Sequence, residues 1–243
     1  MDNAILKSNL KNKLDLVLKM AKYNLKIIFA GRFFWFVLAS LVFYILLSLQ
    51  LVFNVPGFNS SHVYGVLIVP GILLVFYPTV FGIQNDADSR ILEILFGIPD
   101  YRYKVWLIRL FMIFLLTWAI LYVFCWLGYF GLTPFPVFMM SLQLMFPVLF
   151  LGCMAFLIST VVKNGNGTAV VMILIGVALL FMSDTLGNTS WNVFHNPYSI
   201  PQRMNEMVWA QISQKNRIFL GIGSIIFLLG GLTNLQRREK FLK

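Results

Sequence analysis

FFWFVLASLVFYILLSLQLVFNVPGFNSSHVYGVLIVPGILLVFYPTVFGIQN, residues 33–85, runs for 53 positions without an Asp, Glu, Lys or Arg. Directly after it comes DADSRILEILFGIPDYRYK, residues 86–104, where Asp86, Asp88, Arg90, Glu93, Asp100, Arg102 and Lys104 fall within nineteen positions. One bilayer crossing takes about 20 residues at ~1.5 Å rise each, so the first stretch is long enough to cross twice. The charged island then lies on one side, between two apolar hairpins.

The rest of the chain agrees with that reading. Its 243 residues are 59% apolar and 12% charged, with a mean hydropathy of +0.82, a departure from soluble averages in the direction of integral membrane proteins. Hydropathy predicts six spans, at about 33–53, 64–83, 105–127, 135–161, 168–183 and 218–235. The fold class expected is an all-α polytopic membrane protein, one transmembrane domain over 1–243. The net charge of +10 does not point to nucleic acid, because the basic residues gather at span ends and not on one solvated surface.

Those basic residues orient the chain. Seven precede the first span (Lys7, Lys11, Lys13, Lys19, Lys22, Lys26, Arg32), and Arg90, Arg102, Lys104 and Arg109 lie in or just after the island. Lys163 follows the fourth span, and Arg237, Arg238, Lys240 and Lys243 form the tail. Only Arg203, Lys215 and Arg217 fall on the other face, so the positive-inside rule predicts both termini and the island in the cytoplasm of a cell with this protein in its inner or plasma membrane. No cleavable signal peptide is expected, since the first apolar run begins near residue 27 and lacks a following A-x-A-like site.

Residues 1–32 read as a cytoplasmic interfacial segment. Leu6, Leu10, Leu14, Val17, Leu18, Ala21, Leu25 and Ile28 recur at helical spacing opposite a Lys-rich face, which suits a helix lying among anionic lipid headgroups. A solvated leader is the other reading. The island with its flanks, 84–104, predicts a short amphipathic helix with Ile91, Leu92, Leu95 and Phe96 on one face, Asp86, Asp88 and Ser89 as N-terminal acceptors, and Pro99 ending it at Ile98. Lys163 to Gly167 predicts a tight turn, because Gly165 and Gly167 permit positive φ. The outer loop, 184–217, is expected to hold a short amphipathic helix after Pro201, with Ile200, Met204, Met207, Val208 and Ile212 on its apolar side. Pro70, Pro78 and Pro147 predict kinks or freed carbonyls in the second and fourth spans.

Little in the chain suggests bond-making chemistry. Intramembrane hydrolases need a nucleophile or metal, and ion-coupled carriers usually place a carboxylate near the midplane; neither pattern is visible. Gly165 and Gly167 lack the P-loop spacing, and His62 and His195 stand far apart in outer loops with no metal-binding motif. Cys125 and Cys153 fall inside spans, where plain packing is the first reading and a disulfide or metal role the second. Arg109 and Asp184, nearest to apolar surroundings, can both snorkel to an interface. Asn59, Asn166 and Asn188 begin N-x-[ST] triplets, a pattern too frequent to carry weight.

Read in order, a Lys-rich leader, two spans, a charged cytoplasmic helix, four more spans and a basic tail, the whole chain resembles the permease subunits of type-2 ABC exporters. The most specific stretch is Asp88, Leu92-Glu93, Ile94-Leu95, Pro99 and Arg109, which stand where that family has an acidic residue, a leucine-glutamate pair, an apolar turn, a proline and a basic residue. The family often has Gly-Thr where this chain has Arg90-Ile91, and Gly-Lys where it has Ile108-Arg109. Asn196-Pro197 and the tail from Gln236 to Lys240 are similar to the family's outer loop and terminus.

The resemblance implies two copies of a cytoplasmic ABC ATPase, which would bind ATP and Mg, docked on two permease chains of identical or related sequence. This chain would hold no cofactor and have no catalytic residue or metal of its own. Asp86, Asp88, Arg90, Leu92, Glu93, Phe96, Pro99, Arg102 and Lys104 would couple it to the ATPase: Asp88 and Glu93 as ion-pair partners, Arg90, Arg102 and Lys104 near phosphates, Leu92 and Phe96 in a pocket. The plain alternative for the charges is a solvated loop with no partner. First and fifth spans would meet their counterparts at a dimer seam, where Gly167, Ala169 and Gly176 allow close approach. The cargo implied is hydrophobic or amphipathic, a peptide, drug or lipid-like molecule. A haem-exporter-like permease is the runner-up, and a channel or ion-coupled carrier stands behind it.

Overall fold

A computed structural model describes residues 33–88, 102–202 and 204–235. The expected leader helix, the centre of the coupling segment and the basic tail lie outside the described residues. Six α-helices make up the rest: α1 Phe33–Asn54, α2 Ser60–Asp88, α3 Ile108–Gly131, α4 Val137–Val162, α5 Gly165–Leu186 and α6 Glu206–Asn234. A π-helical turn, Arg102–Leu107, runs directly into α3. All six are long and apolar enough to cross a membrane, in agreement with the six expected spans. In lipid the backbone must satisfy its own hydrogen bonds, which helices do within one segment.

Helices α2 and α4 are the hub. Helix α4 packs on α2, α3, α5 and α6, and α2 on α1, α3, α4 and α5. Glycine makes the contact close: a Cβ at Gly152 of α4 would lie 2.7 Å from Phe114 and 2.8 Å from Val75. Small residues let membrane helices approach in this way, and packing then holds them. The outer members are α1 and α5, with 17% and 6% of their apolar windows buried against 67% for α4. Cys125 and Cys153 are buried and free, as plain packing requires.

Two local expectations are corrected. The last helix does not start near 218; it starts at Glu206, where the Asn205 side chain accepts from the Met207 amide at 3.2 Å. The polar run Gln211 to Arg217 lowers hydropathy, but Gln, Lys and Arg are good helix formers and do not interrupt the helix. Met207, Val208 and Ile212, assigned above to a separate outer helix, therefore belong to the first turns of α6.

The α4–α5 turn also differs. Gly165 and Gly167 lie in the first turn of α5, and the positive φ falls on Lys163, at 62°. Asn164 caps α5 by accepting from the amides of Asn166 and Gly167 at 2.9 and 3.2 Å. Gly165 is small for a different reason from the one expected: a Cβ there would lie 2.4 Å from the Phe81 ring. The helix continues through Pro78, where the Thr79 hydroxyl donates to the Val75 carbonyl at 2.7 Å.

Candidate functional site

The charged island leaves from the end of α2 and returns at the π-helical turn. Asp86 and Asp88 sit in the last turn of α2, and the helix they are expected to cap lies outside the described residues. Arg102 and Lys104 belong to the π-helical turn, whose backbone alone is described at those positions. Arg90, Leu92, Glu93, Phe96 and Pro99 lie outside the described residues.

Asp86 and Asp88 have different surroundings. The guanidinium of Arg109 donates to both carboxylate oxygens of Asp86, Nη1 to Oδ2 and Nη2 to Oδ1, the latter at 3.1 Å. Both residues are buried, at 2% and 6% exposure, so Arg109 does not snorkel and Asp86 does not stand free at the surface. A carboxylate at a helix C-terminus opposes the helix dipole, and a buried charge needs a partner. Arg109 supplies the countercharge, and its guanidinium lies 5.2 Å above the buried Trp106 ring. Asp88 is exposed, and the Gln84 amide lies 3.4 Å from its carboxylate. It is the described acid of the island that faces outward.

The ion pair closes the base of the island, since its members flank it in sequence, 23 positions apart. Two further bonds brace that base from other helices. Gln84 accepts from the Gly165 amide at the start of α5, and the Ser159 hydroxyl of α4 donates to the Val80 carbonyl at 3.0 Å. Sequence reasoning missed the pairing of Asp86 with Arg109. The signal was present in two opposite charges at the edges of apolar spans, each needing a partner on burial.

At the opposite end of the bundle the segment between α5 and α6 is a packed polar knot. Asn192 accepts from the Phe194 amide and the Ser183 hydroxyl, both at 3.0 Å, and donates to the Gly187 carbonyl at 3.2 Å. Asn216 of α6 donates to the carbonyls of Ser190 and Asn192 at 2.9 and 2.8 Å. Asn196 ties the segment to α2 by donating to the Ser61 carbonyl at 2.9 Å. His195 is buried, with Nε2 2.8 Å from the Ser213 hydroxyl and its ring 4.6 Å from that of Trp209. Burial, reinforced by the charge of Arg217, pushes the His195 pKa down to about 4. His62, at the exposed start of α2, bonds Asn59 and takes no part in this cluster.

Between α1, α2, α4 and α5 lies a half-open apolar cavity of about 670 Å³, lined by Phe36, Ile72, Phe76, Leu151, Met172 and Gly176. Tyr64 and Asn196 edge it toward the polar knot, and Thr79 lies toward the charged end. Its size falls within the range of small-molecule sites, and its walls suit an apolar occupant.

No family model, no curated protein and no solved structure matches this chain. Six apolar helices and a core built between them define an all-α multi-pass membrane protein.

Proposed function

We propose that this chain is the transmembrane permease subunit of a type-2 ABC exporter, driven by a separate cytoplasmic ATPase that holds ATP and Mg. The observation that carries the reading is the braced base of the charged island. Asp86 and Arg109 join its two ends, and Gln84 links it to α5, so a push on the island would move α2, α3 and α5 together. An unbraced loop would dissipate the same push. Asp88 and Glu93 are the acids offered to the ATPase, Arg90, Arg102 and Lys104 lie near phosphates, and Leu92 and Phe96 fill its pocket before Pro99 ends the segment.

Two permease chains, alike or related, complete the path, meeting along the sparsely buried α1 and α5 in the inner or plasma membrane with termini in the cytoplasm. The cavity beside those helices suits a hydrophobic or amphipathic cargo such as a peptide, drug or lipid-like molecule. Gly176 on its wall has nothing within 4 Å of where a Cβ would stand.

The test is gentle detergent extraction followed by mass spectrometry of the copurified ATPase and by its cargo-stimulated hydrolysis. Leu92→Ala with Glu93→Ala is expected to lose ATPase binding or stimulation while membrane insertion stays normal. Full stimulation in that variant overturns the reading. Glu93→Ala by itself is expected to be nearly silent, because exposed ion pairs contribute about 0–1 kcal/mol.

A further inference from the structure

A small cavity of about 10 Å³ lies within the polar knot, lined by Tyr64 of α2, Gln143 and Pro147 of α4, His195 of the α5–α6 segment, and Ser213 and Arg217 of α6. This is room for about one water molecule. Its walls mix polar with apolar groups, unlike those of the large cavity beside α1 and α5. Polar cavities of this size take water, whereas purely apolar ones stay dry.

The fold leaves two acceptors over at this place. His195 is buried and its Nε2 is taken by the Ser213 hydroxyl at 2.8 Å, while Nδ1 has no hydrogen-bond partner among the described residues. With its pKa down at about 4 the ring is neutral at ordinary pH, so one of its nitrogens carries a free lone pair. Pro147 lies inside α4 and has no amide hydrogen, so the carbonyl of Gln143, four residues earlier, loses its usual helical donor.

Two donors complement them. Arg217 gives its Nε to Gln143 Oε1 at 2.9 Å and meets no carboxylate among the described residues, and a guanidinium has no lone pair, so toward the cavity it can only donate. The hydroxyl of the buried Tyr64 can donate as well. A water molecule has two lone pairs and two hydrogens. One that accepts from Arg217 and Tyr64 must give both hydrogens away, and the acceptors left over are the Gln143 carbonyl and Nδ1. A cation in the same place would meet the charge of Arg217, and a phosphate is too large.

We infer that the polar knot binds one ordered water molecule, which accepts from Arg217 and Tyr64 and donates to the Gln143 carbonyl and to His195 Nδ1. It bridges α2, α4, α6 and the α5–α6 segment, and it fixes His195 in the form that carries its hydrogen on Nε2, donated to Ser213 Oγ. The site depends neither on a partner ATPase nor on a cargo.

The test uses the full chain with His62→Gln, which leaves His195 as its single histidine, isotope-labelled at the ring nitrogens and reconstituted in bilayers for solid-state NMR at neutral pH. A neutral ring protonated at Nε2 is expected, with magnetisation passing from water protons to Nδ1. A ring protonated at Nδ1, or an Nδ1 that receives nothing from water, overturns the site. Radiolytic footprinting of the wild-type chain reads the same water from its other side, since radicals formed from a bound water oxidise buried neighbours. Tyr64, 2% exposed, is expected to oxidise several-fold faster than Tyr44, which is 5% exposed and does not line the cavity. Equal rates overturn the site as well. Tyr64→Phe keeps the ring and removes one donor, so in that variant the water should exchange about fivefold faster, the factor for one neutral hydrogen bond of about 1 kcal/mol. The rate is read as heavy oxygen entering the oxidised His195 after mixing with heavy-oxygen water, and an unchanged rate overturns the four-partner arrangement.

Discussion

The two ends of this bundle keep polar groups in place by opposite means. At the charged end one buried pair among the described residues, Asp86 with Arg109, joins helices α2 and α3 through two parallel bonds. At the other end Asn192, Asn196 and Asn216 join a folded segment to α2, α5 and α6 through many neutral bonds, with Arg217 left without a carboxylate among the described residues. The difference lies in how each fails. Removing one member of a buried ion pair leaves an uncompensated charge, whereas removing one amide from a network leaves a few neutral groups that water near an interface can serve.

The largest effect should therefore come from Asp86→Ala. With Arg109 left buried and unpaired, a loss of about 3–5 kcal/mol is expected in equilibrium unfolding in mixed micelles. Asp86→Ala combined with Arg109→Leu should recover most of it, because no charge remains to be solvated. If the double variant is as unstable as the single one, the charged end is held by packing and the contrast between the two ends fails.

A smaller loss is expected at the opposite end. Asn192→Ala strands the Ser183 hydroxyl and the Phe194 amide, at about 1–3 kcal/mol by the usual cost of an unsatisfied buried group. Asn188→Ala, at an exposed position in the same segment, should be silent in the same assay. Equal effects from both would show that the segment does not act as a network.

The smallest effect is a pH dependence specific to the polar knot. Burial holds the His195 pKa at about 4 in the folded chain, below its ordinary 6.5, so the folded state resists protonation and the unfolded state does not. Between those values the unfolded chain binds more protons. The contribution of His195 to stability is complete above about pH 6.5 and is lost as pH falls toward about 4. His195→Gln should flatten that slope in thermal melts of the detergent-solubilised chain. An unchanged slope would place the acid sensitivity elsewhere.

Legibility differed between these regions for a physical reason. Crossing a bilayer demands long apolar runs, so all six helices could be read from hydropathy in spite of Pro70, Pro78 and Pro147. The island could be read because its charges interrupt those runs. The start of α6 was misplaced, since Lys215, Asn216 and Arg217 look like loop to a hydropathy window although they suit a helix. The polar knot was read as outer loop because Asn residues spaced along a chain do not reveal which carbonyls they will meet.

From composition and order alone, this sequence determined an all-α membrane bundle of six helices with a charged segment after the second, because burial in hydrocarbon constrains every residue of a span independently of its neighbours. Tertiary structure decided which charges are spent inside the protein and which remain for something else. Asp86 and Asp88 are two residues apart, yet only the first meets Arg109, and Arg109 and Arg217 are both basic residues among apolar neighbours, yet only the first has a carboxylate partner among the described residues. Such pairings depend on the rotation and approach of helices far apart in sequence, which are set where Gly152 lets α4 close on α2 and α3.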